Sequence, residues 1–417
     1  MLRKTYAIPV FFKQESSWNW RNIGIVFEKR QISAILPVAG IHCESNLKEI
    51  TMQEIRFALV GAGHRGRYMF EAGCKAAEKI IPVAACDINP DLWYKSQRGQ
   101  KPMSETFADT RFYEDFDTML RQEKIDVLLV ETPAHIHTKF CATGLEHNIN
   151  VLSDIPLVRS YEEAEMLWEV GKRSKATLMT GANPNEWGFI EAAYDLYKQG
   201  FLGKPFYLEA EYIHDVRYLW EETPWRRKGM PIRYCTHSLG PLLRLLPDDE
   251  LRKVSCVTTG PQIVGEEGQN DLMTAHFTTP ENVVVRFTAS FINEAKCGHH
   301  SYRVFGTEGY FEHLSERGHY PARTMFNSKK LYGATNLTEL PIGMTRPDFA
   351  AASNGAGHGG ADFMLYHDFF EALRTGNMEK VITMRDGIRM SLPGLFAAES
   401  AEKGGEIVQI RYPWDKE

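Results

Sequence analysis

The turn Gly61-Ala62-Gly63-His64-Arg65-Gly66 follows directly on the apolar run Ile55-Arg56-Phe57-Ala58-Leu59-Val60. The pattern reads as a buried strand that turns sharply into a helix through G-x-G-x-x-G. The backbone N–H groups of such a loop approach a pyrophosphate, and the helix N-terminus adds partial positive charge. Gly61, Gly63 and Gly66 are therefore expected at a dinucleotide, together with the backbone of His64 and Arg65, whose side chains are expected in solvent. A second apolar run, Ile81-Pro82-Val83-Ala84-Ala85-Cys86, ends in Asp87. That is about 20 residues beyond the last glycine, where an acid holds the adenosine ribose hydroxyls. Ile88 and Asn89 follow, with no adjacent arginine for a 2′-phosphate. NAD is expected in preference to NADP.

From Met52 onward the chain alternates strand and helix signals. Phe112 to Glu123 is acidic at its start and amphipathic. Ile125 to Val130 has the continuous apolar character of a strand buried on both faces. It ends in Glu131-Thr132-Pro133-Ala134-His135-Ile136-His137, and a helix is expected to about His147. Ile149 to Ser153 is the next strand and ends at Asp154-Ile155-Pro156. Ser160, with Glu163 three residues on, has capping-box spacing. Ala176 to Thr180 is a further strand. Short βα turns at each step imply right-handed crossovers and a doubly wound parallel sheet, a Rossmann domain expected over residues 52–181, with ligands beyond the strands' carboxyl ends.

The rhythm then changes. Glu186 to Gln199 reads as a helix, Pro205 to His214 as a strand and His237 to Leu246 as a helix. Lys253 to Val257, Leu272 to Thr278, Val283 to Ser290 and Tyr302 to Gly306 read as strands joined by hairpin-like turns. This implies an α+β domain with a mostly antiparallel sheet over residues 182–417. Phe363 to Arg374 and Asp386 to Lys403 are closing helices, the second expected to kink or break at Pro393. Gly355 to Gly360 reads as a flexible loop. Residues 1–51 do not share this pattern and are expected to be a leader, disordered or preceding the true start at Met52.

The chain has 417 residues, enough for two domains, and a net charge of −6 without a basic stripe. Nucleic acid and anionic membrane are not expected partners. The 7 cysteines are scattered with no C-x-x-C, which points to reduced thiols and a cytoplasmic protein. His, Asp and Glu spacings match no metal site.

Taken together, the glycine turn, Thr132-Pro133 with His137, the strand end at Asp154-Ile155-Pro156, and Trp225-Arg226 ahead of a histidine-bearing helix resemble the Gfo/Idh/MocA family of NAD(P)-dependent sugar oxidoreductases. The resemblance covers essentially Met52 to Glu417. It implies a C-terminal domain with an open antiparallel sheet that carries a sugar, and a homo-oligomer. It places Asp154 near the nicotinamide ribose. Trp225 and Arg226 either hold the carboxamide end or form a surface stack, and His137 caps local structure near the cofactor. Dehydrogenases of the family read Glu-Lys-Pro at this strand end, and the lysine assists proton removal. Ile155 cannot, and Arg233 replaces an Asp that often precedes the family's histidine.

A branch of the same superfamily, the NAD-dependent α-N-acetylgalactosaminidases, is similar at these departures. Its members carry Glu-Val-Pro at the strand end and a Tyr-Pro-Thr-His-Gly-Leu-Gly-Pro stretch that Tyr234-Cys235-Thr236-His237-Ser238-Leu239-Gly240-Pro241 follows with two changes. Their Tyr-Ile-His segment and Gly-His-Gly-Gly loop match Tyr212-Ile213-His214 and Gly357-His358-Gly359-Gly360. Ala182-Asn183-Pro184-Asn185-Glu186-Trp187 departs from their Asn-Cys-Cys-Tyr, so neither a tyrosine base nor the sugar carries over.

The resemblance implies transient oxidation at the sugar C3, elimination at C1, addition of water and re-reduction, with NAD retained. His237 is the leading acid/base group. Tyr234 contacts the sugar or enolate, and His358 approaches from the glycine-rich loop. Tyr212 and His214 are expected on alternate strand faces, so that one of them, Tyr212, faces the site. Tyr302 is a third sugar contact or core. His299, His300 and His367 have no assignable role. A conventional sugar dehydrogenase and a non-catalytic NAD-binding sensor are the alternatives.

Overall fold

The computed structural model describes residues 53–221, 227, 229–265, 269–294 and 299–417. The expected leader and the pair Trp225-Arg226 lie outside these residues. Six parallel strands form the first sheet, in the order β3-β2-β1-β4-β5-β6. They are β1 Ile55–Val60, β2 Ile80–Cys86, β3 Arg111–Tyr113, β4 Val127–Val130, β5 Asn150–Ser153 and β6 Leu178–Thr180. The order reverses between β1 and β4, which are paired through Val60 and Val130. The glycine turn and Glu131 therefore leave neighbouring strands at the topological switch point, where doubly wound sheets bind ligands. All four residues of β4 are buried, as expected of a strand covered on both faces.

Helix α1 (His64–Ala76) starts in the glycine turn. Two single-turn helices precede β3. The segment from Phe112 divides. Phe112 lies in β3, and α2 covers only Phe116–Gln122, with the Asp115 carboxylate accepting from the Thr118 N–H at 2.9 Å. Its acidic start is thus a strand-to-helix turn ending in an N-cap. Helices α3 (His137–Glu146) and α4 (Tyr161–Arg173) follow β4 and β5, and Ser160 caps α4 by accepting from the Glu163 N–H.

Beyond a 3₁₀ turn at Asn183–Glu186 come α5 (Gly188–Lys198) and, later, α6 (Thr236–Leu243). The second sheet has nine strands among the described residues, ordered β14-β13-β12-β11-β7-β10-β9-β8-β15. These are β7 Pro205–Ile213, β8 Lys253–Thr258, β9 Leu272–Thr278, β10 Val284–Ser290, β11 His300–Gly306, β12 Gly309–Leu314, β13 Arg323–Ser328, β14 Thr338–Leu340 and β15 Val408–Gln409. Every pairing is antiparallel except β7 with β10. Along β7, Leu208, Ala210 and Tyr212 are buried on one face. Glu209 and Glu211 project to the other, where they pair with Arg286 at 3.1 and 3.0 Å, and Glu209 pairs with Arg303 at 2.8 Å.

The chain then returns to the first sheet. Helix α7 (Ala361–Thr375) packs on β1 and α1, with the rings of Tyr366 and Phe370 edge-on to Phe57 at 6.0 and 5.6 Å. Helix α8 (Met384–Glu402) begins in a Thr383–Asp386 capping box and runs unbroken through Pro393, where a kink or break is expected from sequence. Leu392, Pro393 and Gly394 are buried, and a Cβ on Gly394 would meet the Cys235 sulfur at 2.5 Å and the Ile232 carbonyl oxygen at 2.7 Å. Packing that close offsets the roughly 3 kcal/mol cost of an internal proline. No described helix is long and apolar enough to cross a membrane.

Candidate active site

The glycine turn has the shape a dinucleotide requires. Gly61 has φ +97°, and a Cβ there would lie 2.6 Å from the Glu131 carbonyl carbon. A Cβ on Gly66 would collide with the Gly61 carbonyl oxygen and reach the Glu131 Cβ at 3.1 Å, whereas one on Gly63 would meet nothing within 4 Å. So Gly61 makes the turn, Gly66 lets helix and strand pack, and Gly63 leaves open the approach for a pyrophosphate. The Asp87 carboxylate ends β2 and accepts N–H bonds from Ala62 at 2.8 Å and Asn89 at 2.9 Å. It thereby braces the turn beside which the ribose would sit. The residues present fit NAD.

His64, the first residue of α1, is exposed. The Arg65 side chain is not left to solvent as expected. It forms a two-pronged ion pair with Asp362 of α7, both contacts 3.1 Å. Asp362 is fully buried and also accepts from the Asn183 side chain at 3.0 Å and His358 Nδ1 at 2.9 Å. Burial opposes its ionisation, but the His358 bond and the Arg65 guanidinium outweigh this and hold its pKa below the ordinary carboxylate range. Thr132 is buried and exchanges a 3.2 Å hydrogen bond with the Nδ1 of buried His137, while Pro133 is exposed beside them. Burial lowers the His137 pKa to about 4, so the ring is neutral; it ties the first turn of α3 to Thr132 and does not cap the helix, whose N-cap is Ile136 with no side-chain bond. Asp154 follows β5, and Ile155 beside it is buried.

On the inner face of the second sheet, His237, Tyr234 and Tyr212 come together. Tyr234 and His237 Nε2 share a hydrogen bond at 3.1 Å, and the Tyr212 ring lies 5.0 Å from Tyr234 and 5.9 Å from His237. His237 is 8% exposed, and its Nδ1 is buried with no partner among the described residues. Burial first, then His358 and Arg65, push its pKa well below the usual histidine value, so it is a neutral ring able to accept a proton. Tyr302 is core. It is 1% exposed and its hydroxyl donates to the His237 carbonyl at 2.7 Å, fixing the start of α6.

Tyr212 and His214 are not on alternate faces. Residues two apart in a strand share a face, and the Tyr212 hydroxyl meets His214 Nδ1 at 2.8 Å. The structure adds residues without an expected role. His300 lies opposite Tyr212 in the β7–β11 register, their rings 5.0 Å apart, and the His299 ring is 3.9 Å from that of His214. His299 Nε2 and His300 Nδ1 are buried without partners among the described residues. Burial lowers the His299 pKa to about 4 and holds that of His300 well below the ordinary histidine value. Trp187 joins this cluster to the glycine-rich loop, its ring edge-on to His300 at 4.8 Å and its N–H donating to the His358 carbonyl at 3.0 Å. The doubled histidine, in phase with Tyr302 along one strand, is the signal that could have found His300. His367, by contrast, bonds the Ala76 carbonyl far from the cluster.

Residues 55–182 match the family described as "Oxidoreductase family, NAD-binding Rossmann fold", and residues 190–312 match "GFO/IDH/MocA C-terminal domain", together more than half of the chain. The chain belongs to the Gfo/Idh/MocA oxidoreductase family. It is an enzyme fold with NAD as its cofactor. A glycosyl hydrolase family 109 protein of Stenotrophomonas maltophilia is 22% identical over 379 residues, 77% of this chain and 81% of the relative. An alpha-N-acetylgalactosaminidase of Shewanella oneidensis is 25% identical over 206 residues, 46% of this chain and 44% of the relative. Among solved structures, levoglucosan dehydrogenase in complex with NADH and levoglucosan superposes with TM-score 0.69 at 18% identity, covering 86% of this chain and all of that one. Myo-inositol 2-dehydrogenase from Lactobacillus plantarum does so with TM-score 0.66 at 16% identity, again over 86% of this chain. These likenesses establish the Gfo/Idh/MocA fold.

Proposed function

We propose that this enzyme acts on a sugar or glycoside with no net redox change, as a glycosidase that keeps its NAD. The observation that carries the reading is the pairing of a buried Ile155, where the family's dehydrogenases have lysine, with two histidine-centred proton carriers, Tyr234–His237 and His358–Asp362. NAD, when bound, takes a hydride from a sugar carbon and can return it, so that the adjacent C–H becomes acidic in between.

His237 serves as the base for the sugar hydroxyl, since a neutral imidazole has a nitrogen lone pair to offer. Tyr234 stands between them and relays the proton: its hydroxyl gives its hydrogen to His237 Nε2 as it accepts that of the substrate hydroxyl. His358 is the second acid/base group. Asp362 takes the Nδ1 hydrogen and leaves Nε2 to move a proton, the arrangement by which a carboxylate fixes an imidazole tautomer. Tyr212 and His214 offer donors and acceptors to sugar hydroxyls, and the neutral rings of His299 and His300 back them. Gly61, Gly63, Gly66, Asp87, Thr132 and Asp154 line the cofactor's path, with Asp154 at the nicotinamide ribose. The same reading makes the protein cytoplasmic, with its cysteines reduced, and a homo-oligomer through the open sheet face.

A panel of p-nitrophenyl glycosides tests it. Release of nitrophenol without accumulation of NADH is expected. Accumulating NADH would identify a conventional sugar dehydrogenase, and neither signal across the panel would leave an NAD-binding sensor. His237→Ala is expected to lower turnover by at least about 100-fold while NAD binding is kept. Turnover near that of the wild type would remove His237 from the chemistry.

A further inference from the structure

Glu131 is an acid with no task in this scheme. It is 9% exposed, both carboxyl oxygens are closed off from solvent, and neither has a hydrogen-bond partner, donor or acceptor, among the described residues. An ionised carboxylate so placed costs several kcal/mol, whereas a protonated one costs much less and has a hydrogen to give. Its position is set by backbone. The Glu131 N–H donates to Val60 at 2.9 Å, and its Cβ stands against the third glycine. Val130 lies opposite Ser153 in the β4–β5 register, and the Asp154 N–H donates to the Val130 carbonyl at 3.1 Å. Residues that follow a registered parallel pair leave on the same side of the sheet, which makes Glu131 and Asp154 neighbours.

The remaining groups around Glu131 are Arg65 from α1 and Asp362 and Tyr366 from α7. Burial first, then the Asp154 charge, raises the Glu131 pKa well above the ordinary value, and Arg65 works in the opposite direction. Arg65 pairs with Asp362 and also faces Asp154 and Glu131, so one positive charge is shared by three acids, and the neighbouring strand end carries Ile155 in place of a second cation.

We propose that Glu131 is a proton-holding positioning residue, whose O–H turns to the neighbouring Asp154 carboxylate when the cofactor binds and keeps the switch point able to accept an anionic dinucleotide. The inference rests on the reading of Asp154 at the nicotinamide ribose. As pH rises and Glu131 loses its proton, it adds a negative charge beside the phosphate-binding turn and gives up its grip on Asp154. NAD affinity then falls, because the complex takes the protonated form.

The test is NAD binding to the full chain by calorimetry without substrate, at several pH values from 6 to 9. In the wild type the Kd is expected to rise with pH, with a limiting slope of about tenfold per pH unit. In Glu131→Gln, which cannot ionise, it should stay flat. Should that variant not fold, Glu131→Met carries the same comparison. Equal pH slopes in wild type and variant would overturn the proposal. The reading of function fails separately, since a pH-gated Kd with no glycoside cleaved sinks that reading and spares this one. Glycoside cleavage with an ungated Kd does the reverse.

Discussion

Each glycine of the turn has a different physical job, and substitution should separate them. Gly63 faces open space, so Gly63→Ala should leave thermal stability within about 0.5 kcal/mol of wild type while its methyl group obstructs the pyrophosphate. A tenfold or greater loss of NAD affinity by calorimetry is expected. Gly66→Ala drives a methyl group into the Gly61 carbonyl oxygen, and overpacking of that kind costs about 1–3 kcal/mol. Stability and affinity should fall together. If both variants behaved alike, the division of labour read from the geometry would be wrong. At this scale sequence spacing is informative, because the glycine pattern is local. It is silent about Arg65, because the partner Asp362 lies 297 residues on.

Helices α1 and α7 are joined through that pair, so the cofactor turn is anchored by an element from the far end of the chain. Asp362→Asn keeps the shape and removes the charge. Breaking one partner of a buried ion pair costs about 3–5 kcal/mol, and the lower end is expected because Asp154 still faces Arg65. Chemical denaturation should show the loss, with faster amide exchange in α7. A loss under about 1 kcal/mol would mean the pair is not a clamp. Except for β3, the strands of the first sheet are legible in sequence because each is a continuous apolar run, whereas β3 has three residues, opens on exposed Arg111 and merges with the amphipathic segment that follows. Strands β12, β13 and β14 are also less legible. They are short, and β12 turns His313 inward against Thr324 at 2.9 Å, so the apolar alternation that marks a strand is broken by an interior polar residue. The site divides in the same way. His237, Tyr234 and His358 are visible as motif residues, whereas His299, His300 and Trp187 matter only through the β7–β11 register and the packing of α5.

Across the whole molecule, both layers bury histidines as neutral rings, and this should dominate the acid limb of stability. His137, His299 and His313 have pKa values lowered to about 4, mainly by burial, and those of His237 and His300 are held well below the ordinary histidine value. A histidine whose folded pKa is depressed binds fewer protons folded than unfolded. Its contribution is therefore intact above the unfolded value near 6.5 and is lost as pH falls toward the folded value, at about 1.4 kcal/mol per pH unit for each ring. Two buried acids act in the other direction. Burial raises the pKa of Glu131 well above the ordinary range and that of Glu186 to about 8, and both gain stability as pH falls through the same window. Five histidines against two glutamates leave a net loss on acidification. Melting temperature should accordingly drop steeply between pH 6.5 and 4, above the range in which the ion-paired carboxylates Asp362 and Glu209 take up protons. His313 isolates one ring away from the proposed chemistry, stacked on Phe189 at 3.5 Å. His313→Gln should be less stable at neutral pH yet show a shallower acid slope, by about 1.4 kcal/mol per pH unit. A melting temperature that stays level from pH 6.5 to 5 in the wild type would show that these rings are not held neutral by the fold.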